Sequence, residues 1–230
     1  MTGTFINVGA VLAGTLIGLL VGGRLTDSAR QRVLAGLGLI TLVVGVDLAL
    51  AWRDTDPLFV LGGVLLGGLA GEWLGIERRL EEFGDRIQRS LSRHEHSRIS
   101  EAFVTASLLF CVGPLTVVGA LQDGLTGDYD ALATKSMLDG FASIALSATL
   151  GWGVALAAGT VLVIQGGISL GAGLLEDALK GDALAALTSA GGILIIGIAL
   201  KLLDLTDVKV GNFLPALVIA PGLVGAASLV

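Results

Sequence analysis

The chain has 230 residues, of which 53% are hydrophobic and only 15% are charged, and its mean hydropathy is +0.86. A soluble domain carries about 25% charged residues, so this composition excludes an ordinary soluble protein, and the net charge of −6 identifies no partner. Several runs reach the roughly 20 apolar residues that cross a bilayer as helix, without the alternation of a β-barrel. The sequence therefore predicts an all-α, polytopic membrane protein with seven or eight transmembrane helices in contact with the lipid bilayer.

Apolar runs with glycine ridges define the predicted spans. Glycines recur every four residues in the first span at Gly14, Gly18 and Gly22, and in the third from Gly63 to Gly75. Such ridges let membrane helices approach closely, so we interpret them as packing surfaces. Whether residues 137–177 form one helix or two stays open. The predicted spans are 5–23, 32–51, 58–76, 101–121, 137–155, 158–177, 185–203 and 211–229.

The polar segment 77–100 separates the third and fourth spans. In it and just before it, apolar residues recur at helical spacing from Ile76 to Leu91, which predicts an amphipathic helix on the membrane face. His94 and His96 have no third ligand nearby, so we expect no metal site there. Eleven of the 14 basic residues fall on one side if this linker is cytoplasmic, as the positive-inside rule requires. Both termini are then outside, with Arg53, Lys135 and Lys180.

A weak internal repeat relates the two ends of the chain. Three segments of the first three spans match three segments of the last three spans in the same order. The shift of five spans is odd, so equivalent helices would cross in opposite directions, as in the inverted repeats of secondary transporters. This predicts one membrane domain, 1–230, made of a first repeat (1–76), the linker (77–100), a central helix pair (101–157) and a second repeat (158–230). The matching segments begin at residues 5 and 163, 39 and 191, and 59 and 213.

The stretch from Cys111 to Ser147 holds polar groups between two apolar arms. Gly113-Pro114 interrupts the first arm, because proline removes a backbone donor and disfavours helix at the preceding residue. In a bilayer, broken backbone and ionisable groups survive only where protein or a water-filled cavity satisfies them. This stretch is therefore the strongest candidate for a functional site.

Span five has a polar face that includes Lys135, Asp139 and Ser143. Lys135 and Asp139 are four residues apart and can pair. One interpretation is an interfacial ion pair with small packing residues, and the other is a pathway lined by Asp139 and serines. We favour the pathway, because an intramembrane carboxylate indicates function by default.

Five further residues complete the predicted solute or ion pathway. Asp123 directly follows an apolar arm and would sit deep if the loop re-enters the membrane, while Glu72, near the end of span three, is equally well explained as structural. Asn7, Gln165 and Asn212 lie near the starts of spans, where they would either cap helices or offer amide oxygens to a cation.

The run GPLTVVGALQDGLTGDYDALATKSMLDGF, with FINVGAVLAGTLIG before it and GNFLPAL near the end, resembles the bacterial membrane protein family known as domain of unknown function 554. The resemblance covers nearly the whole chain, and GLTGD…KSMLDG is its most specific part. It implies an integral protein of the bacterial cytoplasmic membrane for which transport has been suggested, and it supplies neither substrate nor site residues.

We therefore predict a secondary transporter or channel-like permease for a small, charged solute. The alternative is a membrane scaffold or sensor that acts through the basic linker. No enzyme signature is present, and we expect no cofactor, no catalytic residue, no metal site and no nucleic-acid partner. The solute, the coupling ion and assembly into a homo-oligomer stay open.

Overall fold

The computed structural model of the chain describes residues 1–80, 82, 86, 99–111, 114–175 and 179–228, and in these it contains helices and no strand. The predicted all-α class is confirmed. Short 3₁₀ turns lie at Leu50–Asp54, Trp152–Leu156 and Val210–Phe213, and residues 76–80 are also helical. The helices are α1 (Thr2–Gly22), α2 (Asp27–Ala49), α3 (Pro57–Leu74), α4 (Ile99–Cys111), α5 (Pro114–Leu125), α6 (Asp130–Leu150), α7 (Ala157–Leu170), α8 (Ala172–Leu175), α9 (Gly181–Leu202) and α10 (Ala216–Ala227).

Six helical segments in the described residues are long and apolar enough to cross a membrane, and a seventh span results if α4 and α5 count as one. They correspond to α1, α2, α3, α7, α9 and α10, some with their 3₁₀ turns. The fifth predicted span corresponds to the 21-residue α6, which is absent from this set. It carries Asp130, Lys135 and Asp139, so it is long enough but more polar than the others.

Tryptophans mark both ends of α3. Trp73 near its end is 87% exposed, and Trp52 in the preceding 3₁₀ turn is 47% exposed. Because tryptophan concentrates at membrane–water interfaces, these two side chains lie where the interfaces of a spanning α3 belong. Helix α3, which includes Trp73, is 18 residues long, about 27 Å at 1.5 Å per residue.

The break predicted at Gly113-Pro114 separates α4 from α5. Helix α4 ends at Cys111 and α5 begins with Pro114, which suits the first helical turn because its missing N–H would have no partner there. The two helix axes differ by 61°. The fourth predicted span is therefore interrupted, either as one broken span or as a re-entrant pair of short helices, and residues 112–113 lie outside the described residues.

The first of two compact units contains Met1–Leu37, Arg79–Cys111 and Leu115–Ala172. Its central pair is α1 and α6, which run parallel: a Cβ at Gly3 would meet Leu132, and one at Gly22 would meet Ala148. Helix α6 lies beside α1 along this whole length. It therefore covers the same membrane depth as α1, whose length and composition are those of a transmembrane helix. We therefore count α6 as a transmembrane helix.

Helices α6 and α7 are separate. Gly151 has φ of 93°, a conformation that glycine adopts without strain, and it ends α6 near Gly22. From there α7 runs back, so that Gly166 lies beside Met1. The chain reverses between the fifth and sixth spans, as the inverted-repeat hypothesis requires.

The second unit contains Gly38–Arg78, Val112–Pro114 and Gly173–Val230. Helices α3 and α10 pack antiparallel, with Gly63 against Ala220 and Gly67 against Ala216. The glycine ridge of the third span is thus a packing surface, as predicted. Helices α2 and α9 are also antiparallel, because Gly38 lies against Leu203 and Gly192 against Ala49.

The grouping into units cuts across the predicted segments. Helix α1 belongs with α4–α7, whereas α3 and most of α2 belong with α9 and α10. The opposite directions of α1 and α7, α2 and α9, and α3 and α10 agree with an inverted repeat, which stays a prediction. Between residues 81 and 98 only 82 and 86 are described. Most of the amphipathic helix predicted from Ile76 to Leu91 therefore lies outside the described residues.

Candidate functional site

Close packing of α1 on α6 positions the site of the first unit. A Cβ at Gly14 would lie 2.9 Å from the Ser143 Cβ and would collide with the Gly140 carbonyl oxygen. Small residues on both helices therefore bring the two backbones together. Side chains on the facing stripes, spaced at three and four residues, meet at this seam.

The seam holds a buried polar trio of Asn7, Lys135 and Asp139. Asn7 Nδ2 donates a hydrogen bond to Asp139 Oδ2 at 2.9 Å, and Lys135 Nζ donates to the same oxygen as its ion-pair partner. Asn7, Lys135 and Asp139 are 0%, 6% and 7% exposed. The predicted Lys135–Asp139 pair is therefore formed. Our start of the fifth span at residue 137 was wrong, because α6 starts at Asp130 and buries Lys135 rather than leaving it in a loop.

Several buried polar atoms of the first unit have no hydrogen-bond partner among the described residues. Ser143 lies one turn beyond Asp139 on the same face of α6, and Gln165 is fully buried within α7. An unsatisfied buried group costs about 1–3 kcal/mol, so several in one unit call for a functional explanation. The atoms are Thr4 Oγ1, Asn7 Oδ1, Arg30 Nε, Asp123 Oδ1, Ser143 Oγ, and Gln165 Oε1 and Nε2.

Asn7 and Gln165 are not helix caps. Asn7 is the sixth residue of α1 and bonds across to α6, while Gln165 is the ninth residue of α7. Both lie beyond the first turn, where the free backbone N–H groups of a helix occur. Of our two explanations for these amides, capping is excluded and the supply of amide groups to a ligand remains.

Asp123 is separate from the trio. It is 4% exposed near the end of α5, where its Oδ2 lies 2.9 Å from the α-amino nitrogen of Met1 and accepts the Gly3 N–H at 3.2 Å. Asp123 is therefore buried within the protein, where the start of α1 balances its charge, and its depth in the membrane stays a prediction.

The second unit has its own polar cluster, around Asn212. Asn212 Oδ1 accepts the Glu77 N–H at 2.8 Å, and Asn212 Nδ2 donates to Glu72 Oε2. In return Glu77 Oε2 accepts the Gly211 N–H at 2.6 Å. Both polar ends of Asn212 are used, so the cluster fastens the chain after α3 to the turn before α10.

Glu77 is a buried, charged residue that the sequence analysis did not assign to any site. We placed it at the start of a solvated linker, but it is 3% exposed, and Lys201 Nζ lies 3.8 Å from its Oε1. Gly75, with φ of 60°, ends α3 and turns the chain inward, as glycine does at many helix ends. A glycine two residues before a glutamate was the available signal.

We expect Asn212→Leu to lower stability by about 2–4 kcal/mol, because it leaves the Glu77 N–H and the Glu72 carboxylate without their partner. The unfolding temperature of the detergent-purified protein measures this. Asn7→Leu is the matched control in the first unit, and we expect it to reduce function more than stability. An unchanged unfolding temperature for Asn212→Leu would contradict the fastening role.

Comparison with known proteins gives the family. A family model described as "Protein of unknown function (DUF554)" matches residues 2–225. The chain belongs to the DUF554 family. It is 33% identical over 224 residues to the "Uncharacterized membrane protein YdfK" of Bacillus subtilis, covering 96% of this chain and 94% of the relative. It is 31% identical over 223 residues to the "Uncharacterized protein YqgA" of Escherichia coli, covering 95% and 94%. No solved structure matches the chain.

The DUF554 match confirms the family resemblance seen in the sequence. The family match and the several apolar helices both indicate a membrane protein. The geometry of the trio and of the Asn212 cluster therefore carries any argument about activity.

Proposed function

We propose that this DUF554 protein is a secondary transporter or channel-like permease for a small, charged solute across the bacterial cytoplasmic membrane. The observation that carries the proposal is the buried trio of Asn7, Lys135 and Asp139 on spanning helices, beside further unpartnered polar atoms. Ionised groups inside a bilayer are costly and typically mark substrate or ion pathways.

The discontinuous fourth span supports the same proposal. Interrupted helices near mid-membrane form the binding sites of many secondary transporters. Helix α4, which ends at Cys111, packs against α6, the helix that carries Lys135 and Asp139. The helix that precedes the break therefore lies in the first unit beside the helix that carries two members of the trio.

Of the other predicted pathway residues, Ser143, Gln165 and Asp123 are in the first unit with the trio. Glu72 and Asn212 bind each other in the second unit, where a fastening role accounts for both. The scaffold alternative depends on the linker, most of which lies outside the described residues, so it stays an alternative prediction.

The test is flux. Purified protein reconstituted in liposomes should move at least one small charged solute, supplied as alkali-metal ions, inorganic anions and small organic acids, faster than protein-free liposomes do. The Asp139→Asn protein serves as the matched negative. No flux above this variant for any solute would overturn the proposal.

We expect the end of the first unit that contains Gly22, Gly151 and Ile99 to face the cytoplasm. Gly153 packs on Ile99 and Gly22 on Ala148, so this end also carries the arginines after α1. Exposed single cysteines at Thr2, Ser28 and Ser228, in a Cys111→Ala background, test this with a membrane-impermeant thiol reagent on intact cells. Labelling of Ser28→Cys alone would overturn the orientation.

A further inference from the structure

We propose that Asp139 binds a monovalent metal cation in exchange for the Lys135 ammonium, with Asn7 Oδ1 and Ser143 Oγ as neutral oxygen ligands. This rests on the proposed function and names the solute or coupling ion of that site. In the state described above, Lys135 is the tethered cation that occupies the carboxylate. A free cation takes over the charge balance when it binds.

Two oxygen atoms without partners belong to the side chains next to Asp139, one on Asn7, which bonds to it, and one on Ser143, one helical turn away. The amide of Asn7 is fixed to Asp139 through Nδ2, so its unpartnered Oδ1 lies within the same contact region, on a side chain that is 0% exposed. Ser143, also 0% exposed, adds an unpartnered Oγ one turn away. Hard cations are held by such carboxylate, amide and hydroxyl oxygens.

The net charge of the site suits a monovalent cation. Asp139 is its one carboxylate, and no group of three or more His, Cys, Asp or Glu residues suited to a metal occurs within the described ranges. A divalent ion would leave one charge uncompensated in a low-dielectric interior, which is costly. An anion is disfavoured because it would have to displace Asp139 from Lys135.

The long Lys135 side chain can reach the start of α6, whereas the shorter Asp139 side chain cannot. Side chains on a helix lean toward its N-terminus, and a lysine that precedes its acidic partner by four residues is the less favourable order. Lys135 is five residues from the start of α6, about 7.5 Å along the axis, and Asp128 and Asp130 there are exposed. A flexible lysine stem can carry its charge to such an end, leaving the Asp139 carboxylate to the incoming cation.

The experiment is a cation titration of the detergent-purified full chain at constant ionic strength, with Na⁺ as the probe and Li⁺, K⁺ and choline as comparisons. Binding is measured as a saturable rise in unfolding temperature and as direct uptake of radioactive sodium. The wild type should respond to Na⁺ and not to choline. Asp139→Asn should abolish the response, and Asp182→Asn, which changes an exposed carboxylate of the second unit, should leave it unchanged.

The decisive variant is Lys135→Met, which removes the competing ammonium. We expect it to bind Na⁺ about tenfold more tightly, whereas Asn7→Ala should weaken binding without altering any charge. Weaker binding in Lys135→Met, or a response to acid alone with none to a metal cation, would overturn the proposal. If Lys135→Met does not fold, an unchanged sodium affinity in Asn7→Ala overturns it instead. Solute flux without cation binding would support the permease and refute the cation site. Cation binding without any solute flux would support the cation site and refute the permease.

Discussion

Transport by the reconstituted protein should be lost when Asp139 is changed to Asn. The amide keeps the shape of the side chain and removes its charge, so neither an incoming cation nor Lys135 finds a counter-charge in the seam between α1 and α6. Breaking a buried ion pair costs about 3–5 kcal/mol when the remaining charge stays buried. We expect a smaller loss here, because Lys135 can turn toward the exposed start of α6. Flux in proteoliposomes and the unfolding temperature measure the two effects separately.

The double variant Lys135→Met with Asp139→Asn separates a pathway from a structural pair. Removing both charges should restore stability, because no unpaired ion remains in the seam, and it should not restore transport. Recovery of stability and flux together would show that the pair serves packing only. The site would then have to be sought away from the trio.

The second large effect concerns the glycine ridge of α1. A Cβ at Gly18 would collide with Ser147 Oγ and the Ile144 carbonyl oxygen, and it would lie 3.0 Å from the Ile144 Cα. Backbone cannot move aside as a side chain does, so Gly18→Ala should force α1 and α6 apart. Over-packing costs typically about 1–3 kcal/mol, and we expect the upper end or more, together with disruption of the Asn7–Asp139 contact. The unfolding temperature and the flux should fall together.

Gly9→Ala is the matched control, because nothing lies within 4 Å of a Cβ at Gly9 on the same helix. Both changes raise helix propensity equally, so the difference between them isolates the seam. Equal stabilities for the two variants would contradict the close approach of α1 to α6.

The sequence predicted the helices and the polar face of α6 because both follow from local periodicity. The run of apolar residues defined α1, and the three- and four-residue spacing placed Lys135, Asp139 and Ser143 together. The partner of that face could not be predicted, because Asn7 is 132 residues away from Asp139 and such a contact depends on which helices pack. The same limit explains Glu77, because Gly75 indicates a turn before it but its burial depends on the distant turn around Asn212.

The parallel pairing of α1 with α6 has a consequence for synthesis. Helix α1 is made first, and about 130 further residues must be translated before α6 is complete, which takes about 6–26 s at 5–20 residues per second. During that time the buried stripe of α1, with Thr4, Asn7 and its glycines, must remain beside lipid or the insertion machinery. A nascent chain that stops before Asp130 keeps this polar stripe uncovered, so it should be a target for membrane quality-control proteases.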